Sequence, residues 1–256
     1  QQPPSSEQTY KNEYTEGNNM KRIIQIITFS LLAASVHAQN VDYAKKYEML
    51  VSRLGPAGVG VETLLDNWKQ ADSADVDMLS ARISYYLAKS RSTEVVTRPS
   101  KTYLAQKPIL SLKDSTGTDV YYYQLLKYDD ELFGRAVAEM DNAAALYPDM
   151  LDFRFTKANA YISYERESPD MALAYLLELI AEDNAGKRSW KYDGKPVEKG
   201  FFKEAVQEYC ATLFTLDTPS SMEAFLAVSQ KMSSLYPDDA AFITNIGSYH
   251  MRAKND

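Results

Sequence analysis

The side chains best suited to catalysis are scarce in this chain. Beyond residue 38 it contains one cysteine, Cys210, and one histidine, His250. Nucleophilic catalysis with an imidazole base would depend on these two residues alone. They fall on different predicted helices at positions typical of packing, and Cys210 has apolar and aromatic neighbours in the sequence. We therefore predict that Cys210 is a small buried apolar residue and that the chain is not an enzyme.

Metal and phosphate sites also lack their usual patterns. Zinc needs about four closely placed ligands, which the sequence does not supply, and it has no glycine-rich phosphate loop. The acidic run 129–131 (Asp-Asp-Glu) offers oxygen ligands for Ca²⁺, but the internal glycine of a calcium loop is missing. We interpret this run as a solvated helix end, and we expect no metal and no cofactor.

The charge balance argues against a nucleic-acid partner. The chain has 28 basic and 35 acidic residues, a net charge of −7 at pH 7. An acidic protein attracts polyanions poorly, because binding to phosphates depends on lysine and arginine. We therefore expect a protein or peptide partner. The single cysteine also excludes an intramolecular disulfide, so the fold must depend on packing.

The first 38 residues have the anatomy of an export signal. Residues 1–19 are polar and aperiodic, and we interpret them as an upstream or disordered extension. Residues 20–38 begin with Met20 and two basic residues, continue with an apolar run over 23–34 and end in a sequence suited to cleavage after Ala38. A membrane anchor is the alternative, but spanning a bilayer takes about 20 apolar residues. The sequence thus predicts a periplasmic or secreted protein with no stable membrane span after cleavage.

Helical periodicity dominates the rest of the chain. Apolar residues recur at helical spacing from Phe133 through Met140, which marks one face of a helix. The motif Leu-Tyr-Pro-Asp closes this helix at 146–149 and recurs at 235–238. Because proline cannot continue a helix, each copy of the motif predicts a helix boundary.

The predicted helix starts carry their own signals. Asp149 or Asp152 is expected to cap the helix that follows the first copy of the motif. Ser168 and Thr218 each precede a proline, which places a capping hydroxyl before a residue that suits the first helical position.

The helices resemble the tetratricopeptide repeat (TPR), a helix–turn–helix unit of about 34 residues. A small residue and a tyrosine mark the first helix of that unit, and alanine, an aromatic residue, alanine and proline mark the second. The matching residues are Ala136, Met140, Ala143, Pro148, Ala158, Tyr161, Ala172, Met232, Pro237, Asn245, Ile246, Gly247 and His250. Met140 replaces the usual aromatic residue, and Asn184 stands where a proline is expected. The resemblance implies helix pairs stacked as an α-solenoid.

The repeats divide the chain unevenly. Residues 39–91 are interpreted as degenerate N-terminal helical repeats. Residues 92–118 are interpreted as an insertion of irregular or short extended structure, because they contain prolines and β-forming residues. Residues 119–256 are interpreted as TPR-like repeats, with a helix over 120–127 and a glycine-containing loop near 185–199. The last repeat stops after its first helix, which predicts a C-terminally truncated protein. The expected fold class is all-α.

The first helices of some TPR domains line a concave groove that binds peptides. By resemblance, the groove positions are Asp152, Phe155, Thr156, Asn159, Ala241, Thr244, Asn245 and Ser248. This set lacks the cations of a carboxylate clamp, so we do not expect one. The candidate peptide-groove residues are Phe155, Asn159, Thr244 and Asn245. The two asparagine amides suit an extended peptide backbone and equally suit plain solvation.

The leading interpretation is an exported bacterial scaffold that binds a protein partner through a concave helical surface. One alternative is a glycan-binding or uptake component of the cell envelope, which the 19 tyrosines suggest. Against it, Tyr85, Tyr123, Tyr161 and Tyr175 have helical spacings typical of packing. The other alternative is the non-catalytic part of an enzyme truncated at its C-terminus.

Overall fold

The computed structural model describes residues 41–254, and those from Asp42 onward form one compact unit. The predicted extension, signal peptide and cleavage site lie outside the described residues. The described part is mostly helical, with one small three-stranded antiparallel sheet and one two-stranded hairpin. Within it, no helix is both long enough and apolar enough to cross a lipid bilayer.

The helices in chain order are α1 (Tyr43–Leu54), α2 (Val61–Ala71), α3 (Val76–Ser90), α4 (Asp130–Leu146), α5 (Leu151–Tyr164), α6 (Asp170–Asn184), α7 (Phe201–Leu216), α8 (Pro219–Leu235) and α9 (Ala240–Ala253). The strands are β1 (Arg91–Arg98), β2 (Leu110–Lys113), β3 (Asp119–Tyr128), β4 (Lys191–Tyr192) and β5 (Lys195–Pro196).

Most helices pack against the next helix along the chain. This holds from α1 to α6 and again from α7 to α9, while α6 also packs on α8. The apolar faces meet in two cores, one built mainly by α1–α4 and one mainly by α5–α8. Helix α5 serves both, because Phe153 and Ala160 enter the first core and Phe155 and Ala158 enter the second.

The two copies of the Leu-Tyr-Pro-Asp motif have the same backbone geometry. Tyr147 ends α4 at φ −124° and ψ 68°, and Tyr236 ends α8 at φ −128° and ψ 70°. Each tyrosine N–H donates to the carbonyl four residues earlier, at 2.8 Å in both cases. Each tyrosine carbonyl accepts from the N–H three residues later, at 3.0 Å. The sequence motif is therefore a repeated structural joint.

The predicted helix over 120–127 is wrong, because this stretch belongs to β3. Its side chains alternate between two faces, and Tyr121 and Tyr123 are buried on one of them. A run of valine and tyrosine suits the pleated surface of a strand better than a helix. The strand order is β1-β3-β2, with both pairs antiparallel. The irregular insertion predicted at 92–118 thus contributes two strands to a sheet, and the all-α prediction fails for this region.

The sheet interrupts a packed pair of helices. Helices α3 and α4 pack against each other, although the whole sheet lies between them in sequence. The chain leaves α3 at Ser90 and returns at Asp129, whose N–H donates to the Ser90 carbonyl at 2.8 Å. The register of β1 with β3 starts directly beside this bond, with Arg91 opposite Tyr128.

The predicted loop near 185–199 contains the hairpin β4–β5. Asp193 and Gly194 connect the strands with positive φ values of 49° and 68°. An Asp-Gly pair with two positive φ angles is the favoured connection for a two-residue hairpin. Gly194, one of the glycines that predict a loop here, therefore forms the tight turn of the hairpin together with Asp193.

The predicted helix caps are confirmed only in part. Thr218 caps α8, because its hydroxyl accepts a hydrogen bond from the Ser221 N–H at 3.0 Å. In return, the Ser221 hydroxyl accepts a hydrogen bond from the Thr218 N–H at 3.0 Å. Ser168 does not cap α6, because its hydroxyl donates to Asp170. Neither Asp149 nor Asp152 caps α5, whose N-cap is Met150 without a side-chain bond.

Candidate functional site

Helix α5 carries two of the candidate groove residues and lies between the two insertions. Near its N-terminus it contacts the hairpin, and near its C-terminus it contacts the sheet. Its apolar side chains are shared between both cores, which leaves a narrow polar strip with Thr156 half-buried and Asn159 exposed. We call the exposed surface at these two residues the α5 strip.

Phe155 is not part of an open groove. It is 8% exposed, and its ring lies against Tyr192 at 6.0 Å between centroids and against Phe201 at 6.4 Å. The hairpin is held over this end of α5 because the Asp193 N–H donates to the Asp152 carboxylate at 3.1 Å. The predicted groove position at Phe155 is therefore filled by the chain's own hairpin.

Asn245 is also unsuited to binding a peptide. It is 9% exposed, and its amide exchanges two hydrogen bonds with the Gln207 amide, at 2.9 and 3.2 Å. Thr244 is exposed, and its hydroxyl donates to the Ala240 carbonyl at 2.7 Å. Of the four candidates, Asn159 and Thr244 remain on the surface. Burial was not visible in the sequence because the partner of Asn245 lies on another helix.

The cations of α5 point away from the α5 strip. Lys157 pairs with Asp141 of α4, and Arg154 lies 3.4 Å from Glu182 of α6. These side chains join neighbouring helices, so they do not form a carboxylate clamp at the strip.

A cavity of about 410 Å³ lies at the C-terminal end of α5. Leu104, Leu125 and Leu126 of the sheet insertion form its apolar wall, and residues 163–168 with Asp170 form its polar wall. We call it the sheet cavity. Its size falls in the range of small-ligand and side-chain pockets.

Two residues of the polar wall, Arg166 and Glu167, also hold the sheet against the α5–α6 connection. Arg166 donates to the Leu104 carbonyl at 2.6 Å, and burial lowers the pKa of its guanidinium. Glu167 accepts hydrogen bonds from Tyr103 and from Arg98. Burial raises the pKa of Glu165, whose carboxylate accepts the N–H of Met171 at 2.7 Å. No local pattern in the sequence indicates this site, because only the folding of the sheet brings Leu104, Leu125 and Leu126 next to residues 163–170.

A second cavity of about 240 Å³ lies beside the hairpin. Tyr192 and Phe201 line it with rings 5.2 Å apart, together with the carboxylates Glu198 and Glu204. We call it the hairpin cavity.

Of the four tyrosines expected to pack, Tyr85, Tyr123 and Tyr175 are buried and Tyr161 is half-buried.

Cys210 and His250 occupy very different environments. Cys210 is fully buried, with its sulfur 3.7 Å from the Ser229 hydroxyl, and burial raises the pKa of its thiol to about 11. A thiol with so high a pKa holds little nucleophilic thiolate at neutral pH. His250 is exposed on α9 with its ring against Tyr249.

The acidic run 129–131 lies at the start of α4, and each carboxylate has its own partner. Asp129 caps the helix by accepting the Leu132 N–H at 2.9 Å, Asp130 accepts from the Tyr164 hydroxyl at 2.7 Å, and Glu131 pairs with Arg135 at 2.7 Å. Among the residues that the structure describes, no three His, Cys, Asp or Glu side chains are grouped so as to hold a metal ion.

Comparison of the chain with family models, curated proteins and solved structures finds no match.

Proposed function

We propose that the protein is an exported TPR-like scaffold that binds an extended peptide segment of a partner protein across the α5 strip. The observation that carries the proposal is the position of Asn159. Its amide is exposed on a helix that is otherwise covered by both cores, between the hairpin and the sheet cavity. A free amide can donate to and accept from a peptide backbone.

Three features support a solenoid of paired helices. Successive helices pack as chain neighbours, α6 also packs on α8, and the Tyr147 and Tyr236 joints share one geometry. Helix α3 matches α5 in exposing small polar residues, including Ser80 and Ser84, while most of its surface is buried. Helices α3 and α5 are thus suited to the inner layer of a stack, whose exposed edges line a groove.

The sheet cavity suits an apolar side chain of such a peptide. It adjoins Ser163 at the end of α5, beyond Asn159, and three leucines form one of its walls. An extended peptide bound along the strip would place an aliphatic residue there, which gives specificity in addition to the backbone bonds.

Selection from a display library of random linear peptides tests this proposal. The affinity of enriched peptides is measured by calorimetry for the parent protein, for Asn159→Arg and for Asn142→Arg. Asn142 is an exposed asparagine on α4 and serves as the matched control. We expect Asn159→Arg to weaken binding about tenfold or more, and Asn142→Arg to leave it unchanged. Equal affinities for both variants, or no enriched peptide, would refute the proposal.

We propose that residues 20–38 act as a signal peptide, which directs export of the mature protein to the periplasm or the medium. Mass spectrometry of protein recovered from a periplasmic extract should identify Gln39 as the first residue. An unprocessed N-terminus in that fraction would contradict the cleavage site.

The hairpin cavity favours one second candidate, a glycan. Aromatic rings beside carboxylate acceptors are suited to a sugar ring, and Tyr192 is exposed enough to stack on one. Binding on a glycan array that is lost in Tyr192→Ala but kept in Tyr122→Ala would support this candidate. Tyr122 is a half-buried tyrosine of the sheet and serves as the control.

A further inference from the structure

Within residues 41–254, strand β1 is an outer strand of the sheet, and its second edge pairs with no other strand. It pairs with β3 on one side over eight consecutive residues, from Arg91 to Arg98. It contains no proline, its register has no bulge, and Val95 is 59% exposed. The other outer strand, β2, has only four residues. A long regular edge presents backbone N–H and C=O groups that a further strand can pair with.

We propose that two copies of the protein associate through β1, pairing antiparallel about a two-fold axis at Val96 to form one continuous six-stranded sheet. The occupant of the edge is thus a second copy of this chain. The proposal concerns the sheet alone and does not depend on the peptide-binding function of the α5 strip.

Charge complementarity selects this register. With Val96 opposite Val96 of the second copy, Glu94 lies opposite Arg98, and the two-fold axis generates that pair twice. In a flat extension of the sheet, opposite residues share a face, and residue numbers in each facing pair add to a constant. Both Glu94 and Arg98 lie on the face of β1 that carries Val96.

The neighbouring registers are less favourable. Centring the pairing on Val95 or on Thr97 places neither Glu94 nor Arg98 opposite a charge of the other sign. Centring it on Glu94 places two carboxylates directly opposite each other. Charged residues on an outer strand normally oppose pairing with another strand. Here Glu94 and Arg98 favour the register centred on Val96 and disfavour the register centred on Glu94.

Both charges remain accessible for this contact. Glu94 lies 3.5 Å from Lys127 in a pair exposed to solvent. Arg98 donates to the Thr97 carbonyl and to the Tyr103 hydroxyl through its two terminal nitrogens, lies 3.5 Å from the Glu167 carboxylate, and stays partly exposed. Its guanidinium has five N–H donors, so it can bond a second carboxylate without giving up these bonds.

Sedimentation velocity of the full chain over a range of concentrations measures the association. We expect a reversible dimer whose dissociation constant rises about tenfold or more in Glu94→Arg, because like charges then face each other twice. Arg98→Glu should have the same effect. An equimolar mixture of these two variants should associate again, since each reversed side chain then faces an opposite charge in the other variant.

The control variant reverses a charge on β2, the outer strand at the opposite edge of the sheet. Lys113 pairs with Asp119 at 3.1 Å in an exposed contact between β2 and β3. Lys113→Glu should leave the association unchanged. A wild-type chain that stays monomeric at all concentrations, or a dimer that ignores both reversals in β1, would overturn the proposal.

Disulfide trapping provides a second readout that does not depend on charge. Residues facing each other in an antiparallel pair have Cα atoms about 4.5–5.5 Å apart, within the range of a disulfide. Oxidised Val96→Cys should therefore give a covalent dimer. Ser92→Cys should not, because in this register the two copies of residue 92 are about 26 Å apart. Equal trapping at both positions, or none at residue 96, would contradict the register.

Discussion

The core of α1–α4 buries charge, whereas the core of α5–α8 is closed mainly by neutral side chains. In the first, Arg82 is 7% exposed and lies 2.8 Å from Glu139, which is 8% exposed. Asp66 and Lys69 extend the network to the surface at 2.7 and 3.1 Å. Burial opposes the charge of Arg82, but the bonds to Asp66 and Glu139 outweigh it and raise the pKa of the guanidinium.

The second core joins its helices through neutral polar pairs. Ser229 contacts Cys210, and the Tyr209 hydroxyl donates to the Phe155 carbonyl at 3.3 Å. Arg154 and Lys157 beside this core pair with the carboxylates of Glu182 and Asp141, while the Arg154 Nε is buried without a hydrogen-bond partner among the described residues. Loss of one polar partner should therefore be costly in the first core and mild in the second. In the second core, stability should depend on apolar volume.

The largest expected effect tests the dependence on apolar volume. Leu213 is fully buried in the second core, and Leu213→Ala should reduce the free energy of unfolding by about 3 to 4 kcal/mol, since it leaves a cavity. Urea denaturation measures this change. Phe214→Ala, at the neighbouring and partly exposed position, should cost much less. Equal losses would mean that this core is not tightly packed.

The next effect tests the buried network. Glu139→Gln keeps the shape of the side chain but removes its charge, which leaves Arg82 with one charged partner, and should cost about 2 to 3 kcal/mol in urea denaturation. Glu131→Gln is the matched control on the same helix, because Glu131 pairs with Arg135 at the surface. It should change stability by less than about 1 kcal/mol. A small loss at residue 139 would remove the contrast between the cores.

Two buried tyrosines allow a finer test within the second core. Tyr209→Phe loses the bond to the Phe155 carbonyl and should cost about 1 kcal/mol. Among the described residues, the Tyr175 hydroxyl is buried near Arg154 without a hydrogen bond of normal geometry, so Tyr175→Phe should be neutral or slightly stabilising. Thermal denaturation of both variants measures the difference. A larger loss at residue 175 would show that its hydroxyl is satisfied in solution.

The smallest effects concern pH and have opposite signs in the two regions. Hydrogen bonds from Lys89 and Tyr85 lower the pKa of Glu62 beside the first core. Its stabilising contribution is therefore complete above the unfolded pKa of about 4.3 and is lost as the pH falls through the lower folded pKa. Glu62→Gln should destabilise the protein at neutral pH and should have little effect in acid.

Asp183 at the edge of the second core shows the reverse. Burial raises its pKa, against the bond that it accepts from Trp190 at 2.9 Å. The folded state then carries a penalty above the raised pKa, and this penalty disappears below the unfolded pKa of about 3.9. Asp183→Asn should gain stability relative to the parent at neutral pH and lose that gain in acid. Denaturation curves at several pH values for both variants measure these differences.

Local signals in the sequence predicted the helices well and the contacts between them poorly. Pro148 and Pro237 placed two helix boundaries, and Thr218 placed a cap, because each acts on its own backbone. The helix predicted over 120–127 is wrong, although valine and tyrosine favour a strand, because the strands that pair with it, β1 and β2, lie elsewhere in the sequence. Phe155 and Asn245 looked available for a ligand because the hairpin residue Tyr192 and the helix residue Gln207 that cover them lie far away in the sequence.

The bond between Asp129 and Ser90 makes the sheet a detour in the chain path. The polypeptide leaves α3 and enters α4 at nearly the same point, so the path through the sheet adds no distance between the ends of the two helices. A short turn in place of the sheet would preserve the pairing of α3 with α4. We therefore expect the chain to tolerate a shorter, longer or different insertion between α3 and α4 at this point.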